Sequence, residues 1–293
     1  MTDAPLEELE PGLMRLRAPN PSPMTGPGTN SYVVGHDRLA VIDPGPDDPA
    51  HLQALLSVIG ARPVEAILVT HAHLDHSALA PALARATGAA VCAYGPATAG
   101  RSAVMRRLAD AGIGGGEGLD EGFAPDRCLA DGAELAPEGA PLTALHMPGH
   151  MAGHLCFAWR GAVFSGDLVM GWSSTLISPP DGDLAAFRRS CERLRAHAPR
   201  RLYPGHGAPV DSPAERIDWL LAHRAAREAQ IRAALEDGPL DPAALTERLY
   251  ADLPIALHPA ARRNVLAHLI DLMERNLVTP SDGDLVGARF LLT

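Results

Sequence analysis

Thr70-His71-Ala72-His73-Leu74-Asp75-His76-Ser77 puts three imidazoles and a carboxylate into six residues, directly after the apolar run Ala66-Ile67-Leu68-Val69. A short uninterrupted apolar run reads as a buried strand, so the polar cluster stands where the chain leaves a sheet. Alternate side chains of extended backbone leave on the same side, which lets His71 and His73 grip one ion. Asp75 and His76 come after the chain turns and can reach a second ion beside the first. Imidazole and carboxylate together suit zinc first among the common metals, with iron or manganese next. A lone histidine is ordinarily a surface or core residue, but four potential ligands at this spacing are not accounted for that way.

Three further stretches repeat the logic. Pro148-Gly149-His150, Ser165-Gly166-Asp167 and Pro204-Gly205-His206-Gly207 each follow or lie within a β-like segment, and each sets one ligand type beside glycine. Glycine there lets the backbone turn sharply and lets a metal or substrate come close. With the first stretch they supply five histidines and two carboxylates, the inventory of two ions sharing a bridging carboxylate. The expected allocation is His71, His73 and His150 on the first ion, Asp75, His76 and His206 on the second, and Asp167 as the bridge. Two such ions acidify a water trapped between them and polarise the bond it attacks, so no Ser or Cys nucleophile is required. Turnover is expected to depend on Asp75 and Asp167.

The pattern His-x-His-x-Asp-His, followed by separate His, Asp and His, resembles the metallo-β-lactamase superfamily over about residues 12–211, with all seven motif positions filled. The resemblance implies an α/β fold, the αβ/βα four-layer sandwich with a binuclear metal site at one edge. Asp167 in the bridging position resembles the glyoxalase II and nuclease-like branches. The true β-lactamases usually carry Cys there, which turns the expectation away from β-lactam hydrolysis. A narrower resemblance rests on Asn20-Pro21-Ser22-Pro23-Met24-Thr25, Gly26-Pro27-Gly28-Thr29-Asn30-Ser31-Tyr32 and Pro179-Pro180-Asp181-Gly182-Asp183, together with the C-terminal unit. These are similar to the β-lactamase-like group that includes the mitochondrial single-strand-specific endoribonuclease, and they imply single-stranded RNA as one substrate class. Met151-Ala152-Gly153-His154 stands where that group usually has a second Thr-Pro-Gly-His. His154 is then either a residue that orients a ligand or donates to substrate, or a histidine capping a strand. Asp43 matches a structural group of the resembling families that supports the ligands and does not bind metal itself.

Along the chain, strands are expected at 13–17, 31–34, 39–42, 66–69, 89–94, 142–147, 155–159, 162–165 and 201–203, the first of them as the sheet edge. Helices are expected at 49–59, 78–87 and 183–196, and the interleaved order favours layered α/β architecture. Residues 95–125 hold one helix candidate around 101–111 and then the run Gly112-Ile113-Gly114-Gly115-Gly116-Glu117-Gly118, which has little means of packing. The segment reads as a mobile insertion near the site. After residue 213 the helix candidates 214–236, 242–250 and 259–276 and a hairpin at 278–292, turning at Ser281-Asp282-Gly283-Asp284, match a small winged helix. Two domains are expected, 1–211 for the metal hydrolase and 212–293 for the winged-helix-like unit.

Composition narrows the partners. Hydrophobic residues make up 46% and charged residues 20% of 293 residues, the balance of an ordinary globular protein. Nothing approaches the roughly 20 apolar residues of a membrane span, and the acidic start Met1-Thr2-Asp3-Ala4-Pro5-Leu6-Glu7-Glu8 lacks the order of a signal or transit peptide. A cytoplasmic location is expected. Cys92, Cys128, Cys156 and Cys191 are far apart and read as reduced thiols. All 25 cationic residues are arginine, so Schiff-base chemistry is excluded. The net charge of −10 argues against a broad phosphate-binding surface. From Ser212 onward 9 Arg face 12 Asp plus Glu, a net of −3, so DNA binding by the C-terminal unit is disfavoured. Closing the substrate cleft or making homodimer contacts is expected of it instead. The combined expectation is a binuclear zinc hydrolase using a metal-bridging hydroxide on a small ester, thioester or lactone, or on an RNA phosphodiester. The alternatives are a non-hydrolytic iron enzyme of the persulfide dioxygenase or oxygen reductase kind, and a DNA- or RNA-binding regulator with a metal domain.

Overall fold

The computed structural model describes residues 6–114, 118–136, 141–281 and 285–293. Its larger sheet runs in order through β1 (Leu6–Glu10), β2 (Leu13–Arg17), β3 (Asn30–Val34), β4 (Leu39–Ile42), β5 (Val64–Leu68), β6 (Ala90–Ala93) and β7 (Arg127–Cys128). The first four strands pair antiparallel and the last three join parallel. Parallel neighbours need a crossover, supplied by α1 (Pro49–Ile59) between β4 and β5, and by α2 (Leu74–Ser77) with α3 (Ala80–Thr87) between β5 and β6. Asp48 caps α1 by accepting from the His51 amide at 2.7 Å. The second sheet has the order β12 (Arg201–Pro204), β11 (Ala162–Gly166), β10 (Leu155–Trp159), β9 (Leu142–His146), β8 (Glu134–Leu135). Its one parallel pair, β11 with β12, is spanned by α5 (Leu184–His197).

Period-two alternation makes four layers of these parts. Tyr32, Val34, Ala40, Ile42, Ala66 and Leu68 turn inward and meet Leu142, Ala144, Leu155, Phe157 and Phe164 of the second sheet. Val33, Val41, Ile67 and Val91 turn outward onto Leu55 and Ile59 of α1 and Leu83 of α3. On the far side Leu145, Cys156, Val163 and Leu202 pack on Phe187, Cys191 and Leu194 of α5. This is the αβ/βα sandwich expected of the sequence, and both sheets present strand ends to one edge, where the His-rich stretch leaves β5.

The edge of the larger sheet differs from expectation. β1 lies outside β2, which is therefore not the edge strand. Leu6-Glu7-Glu8-Leu9-Glu10 is mostly exposed and acidic and carries no alternating apolar signal; it is held by pairing with β2 and by ion pairs such as Glu10 with Arg200 at 2.5 Å. The insertion also differs. Residues 103–110 form α4 (Ala103–Asp110), whose Met105 and Leu108 are buried against Leu266 and Ile270 of the C-terminal unit. Leu119 forms an antiparallel bridge with His73, and the Leu74 amide donates to the Gly118 carbonyl at 2.8 Å. Apolar residues three apart on α4 supply the packing that glycine content hides, so the described part of the insertion is anchored to the rest of the chain. Residues 115–117 of the glycine run lie outside the described residues.

The C-terminal unit comprises α6 (Pro213–Glu236), α7 (Pro242–Leu249), a 3₁₀ turn at Ile255–Leu257, α8 (His258–Glu274) and the hairpin β13 (Val278–Pro280) with β14 (Phe290–Leu292). Residues 282–284 of the expected turn lie outside the described residues. Ile217 and Leu220 of α6 belong to the sandwich, whereas Ile231, Ala234 and Leu235 belong to a separate cluster with Leu245, Val265, Leu269 and Phe290. One helix thus serves two cores. No helix among the described residues is long and apolar enough to cross a membrane.

Candidate metal centre

The site is assembled where β4, β5, β11 and β12 end. Asp43, at the end of β4, takes a left-handed φ of 49°, which costs a non-glycine residue about 1–2 kcal/mol. The turn aims its carboxylate across the sheet end. One oxygen accepts from the Thr70 amide at 2.7 Å; the other accepts from the Thr70 hydroxyl at 2.8 Å and from His76 Nδ1 at 2.9 Å. Having given its proton to Asp43, the Thr70 hydroxyl is left to accept from His71 Nδ1 at 2.9 Å. His150 Nδ1 donates to the Leu176 carbonyl at 2.7 Å, and His206 Nδ1 donates to the Gly28 carbonyl at 3.3 Å. Four rings are therefore held by one nitrogen, with Nε2 presented to the site.

His71, His73 and His150 form one group. His73 Nδ1 lies 3.0 Å from His71 Nε2 and 3.0 Å from His150 Nε2. A single proton on His73 could serve only one of those contacts, because the other two rings have used theirs. Converging nitrogen lone pairs without protons are the arrangement a cation satisfies. Asp75, His76 and His206 form a second group. There His206 Nε2 is 3.2 Å from Asp75 Oδ2, and His76 Nε2 is 3.5 Å from the same oxygen. Asp167 spans both: Oδ2 is 3.3 Å from His206 and 3.8 Å from His150, while Oδ1 is 3.6 Å from His76. That Oδ1 is buried with no hydrogen-bond partner, an orphan that a metal would satisfy. Gly205 keeps the space open, since a Cβ there would stand 2.3 Å from Asp167 Oδ1 and 2.6 Å from His76. The seven residues singled out from sequence are thus brought together, and a third group, His71, His76 and Asp167, overlaps the other two.

Residues 24–206 match the sequence profile of the metallo-beta-lactamase superfamily. The chain belongs to that superfamily. Residues 242–285 match the beta-lactamase associated winged helix domain. A Beta-lactamase-like protein 2 homolog of Caenorhabditis elegans is 30% identical over 281 residues, which cover 94% of this chain and 88% of that protein. The Atrochrysone carboxyl ACP thioesterase of Aspergillus fumigatus is 28% identical over 242 residues, covering 79% of this chain and 67% of that one. A metallo-beta-lactamase family protein of Thermus thermophilus, known from its crystal structure, superposes with a TM-score of 0.77 at 27% identity, over 98% of this chain and all of that one. As a member of this superfamily the chain is a metal-dependent hydrolase, and its His/Asp cluster is fit for divalent ions.

Electrostatics divides this metallo-β-lactamase centre in two. Burial pushes the His73 ring down to about 3, with help from His150, and holds His71 and His150 below the ordinary value. In the second group burial again opposes the charged imidazole but the carboxylates win: Asp167 and Asp75 raise His206 to about 9, and Asp75, Asp167 and Asp43 raise His76 well above its ordinary value. Burial alone would raise the carboxyls, yet His76 and His206 keep Asp75 and Asp167 below the usual range. Neutral imidazole and ionised carboxylate are the metal-binding forms. Protons on His76 and His206 stand where the site calls for positive charge.

His154 is buried and accepts from the Asp167 amide through Nε2 at 3.2 Å, stacking on His71 at 5.1 Å. It steadies the Asp167 main chain from within the core. Sequence reading missed Thr29, whose hydroxyl donates to Asp75 Oδ2 at 3.0 Å, and Leu176. The loop holding Thr29 was singled out by resemblance only, and a contact made through a main-chain carbonyl leaves no residue-type signal. Leu74, next to the ligand His73 in the chain, and Trp172 are exposed, at 46% and 45%. The Trp172 indole sits directly on Gly26 and Gly207, beside His206: a Cβ on either glycine would come within 3.2 Å of it.

Proposed function

We propose that this chain is a binuclear zinc hydrolase of small acyl thioesters and activated esters. The observation that carries the reading is the convergence of His71, His73 and His150 without the protons to bond one another, beside an Asp167 carboxylate with an orphaned oxygen. His71, His73 and His150 would hold one ion, Asp75, His76 and His206 the other, with Asp167 shared. Bound there, the ions would acidify a water and polarise the carbonyl it attacks. Asp43, Thr70, Thr29 and the Gly28 and Leu176 carbonyls fix the ring and carboxylate orientations beforehand, so little reorganisation is needed.

The choice of carbonyl follows from the remaining groups. As ligands, Asp75 and Asp167 are ionised and have no proton to give a leaving group. A thiolate, whose conjugate acid titrates near about 8.5, departs without one, while an alkoxide does not. Leu74, next to His73, and Trp172, packed on Gly207 next to His206, expose apolar surface beside the ligands that would suit an acyl chain, and an acyl-carrier thioesterase stands among the relatives. The net charge of −10 and the absence of lysine disfavour an RNA backbone. The deciding experiment incubates zinc-loaded protein with an acyl thioester series, matched oxygen esters, lactones and single-stranded RNA. Thioester kcat/KM at least tenfold above the matched esters is expected. Cleavage of RNA with no thioester turnover would overturn the substrate reading, and failure to bind zinc would overturn the whole.

A further inference from the structure

The C-terminal unit reaches the metal centre through the Thr175–Ile177 segment. The Leu176 carbonyl that accepts from His150 Nδ1 belongs to the same planar unit as the Ile177 amide, and that amide donates to Asn264 Oδ1 of α8 at 3.0 Å. Fixing one end of a planar peptide fixes the other. Asn264 Oδ1 also accepts from Arg224 of α6 at 3.1 Å, and Arg224 donates in addition to the Thr175 carbonyl. The Thr175 hydroxyl lies 3.0 Å from the Asp167 carbonyl and 2.9 Å from that of Leu168. Thr175–Ile177 is thus held from one side by the winged-helix unit and touches His150 and Asp167 on the other.

Arg224 is an unusual residue to bury for stability alone. It is 2% exposed, makes no ion pair among the described residues, and leaves Nε without a partner. Burial lowers it to about 10, so it is still a cation at neutral pH. A buried cation paired with carbonyls and no carboxylate is costly, and an apolar residue would fill the space at less expense.

We propose that Arg224 and Asn264 are positioning residues: acting through the Thr175–Ile177 segment, they set the direction of His150 Nε2 and the seat of Asp167, so that the winged-helix unit is a working part of the metal centre. This rests on the reading of the cluster as a zinc site. The tether, not the ligands, is new.

The test is zinc retention against a graded chelator, measured on full-length parent protein, Asn264→Ala, Asn264→Asp and Thr175→Val, with thermal unfolding in parallel. Loss of such supporting contacts weakens metal binding by about 10–100-fold, so Asn264→Ala should release zinc at correspondingly lower chelator concentration. Asn264→Asp keeps the acceptor for both Ile177 and Arg224 and should hold zinc within a few-fold of the parent. Thr175→Val is nearly isosteric, and it carries the comparison if Asn264→Ala does not fold. A merely structural role would move the unfolding midpoint and leave zinc retention by the folded variants unchanged, and that result overturns the proposal. Failure of Asn264→Asp to restore retention would overturn it too. A parent protein that takes up no zinc would sink the metal reading and the tether with it, whereas parent and variants binding alike would sink the tether alone.

Discussion

His71, His73 and His150 meet as three imidazoles held neutral by burial, while Asp75, His76 and His206 meet as a carboxylate between two imidazoles that favour a proton. The groups share Asp167, and Asp43 underlies both, through His76 directly and through Thr70 to His71, yet their other supports differ. The first is steered by the Leu176 carbonyl, and through it by the C-terminal unit; the second is steered by Gly28 and Thr29 of the N-terminal loop. The contrast teaches that two ligand groups sharing one carboxylate can rest on different foundations. Each half can therefore be disturbed separately by changes that leave all seven ligands in place.

The largest effect should come where the halves are joined. Asp167→Asn keeps the shape and removes the shared charge, and activity on the best substrate should fall by about 10²–10³-fold, the scale for losing a charge-stabilising group in a closed site. Zinc stoichiometry should fall with it in both halves. Full occupancy of both sites in the variant would separate Asp167 from either group. Thr29→Val is the sharper tool. It removes the hydroxyl that donates to Asp75, so the second half should lose zinc affinity by about 10–100-fold while the first is unchanged. A two-step zinc titration reads this directly, and equal loss in both steps would erase the distinction drawn here.

The smallest effect concerns the support beneath the second half. His51, 1% exposed, bonds to Ser31 and lies under Gly45, whose amide donates to the His76 carbonyl at 3.2 Å. Burial pushes its ring down from 6.5 to about 4, against the pull of Asp48. The folded state thus prefers neutral His51. Its contribution is complete above pH 6.5 and is lost as pH falls towards 4, amounting to roughly 3 kcal/mol at most. Denaturant midpoints of metal-free protein between pH 7 and 4.5 should decline less steeply in His51→Gln than in the parent. Parallel slopes would remove His51 from the account.

The sequence made the ligands legible because metal chemistry demands particular side chains, close together and beside glycine. His71 to His76 declare themselves within one turn, and His150, Asp167 and His206 each follow a glycine that the site requires. The layered fold was legible for a related reason, since buried strands such as 39–42 and 155–159 are apolar throughout. What stayed hidden depends on neighbours far away in the chain. Leu176 acts through a carbonyl, Asn264 acts 114 residues from His150, and β1 is a strand only because β2 pairs with it. Met105 and Leu108 looked like part of a glycine-rich insertion until Leu266 and Ile270 supplied a surface for them.

The 24 residues of α6, about 36 Å of continuous helix, enter one core with Ile217 and Leu220 and leave another with Ile231 and Leu235. A cut anywhere along that helix bares an apolar face on at least one of the two pieces. Between the two matched motifs, 24–206 and 242–285, the fold offers no seam: the helix is a splint across the joint. Heating the intact chain should therefore melt both units in one cooperative step, and a protease should find no early linker to open between them.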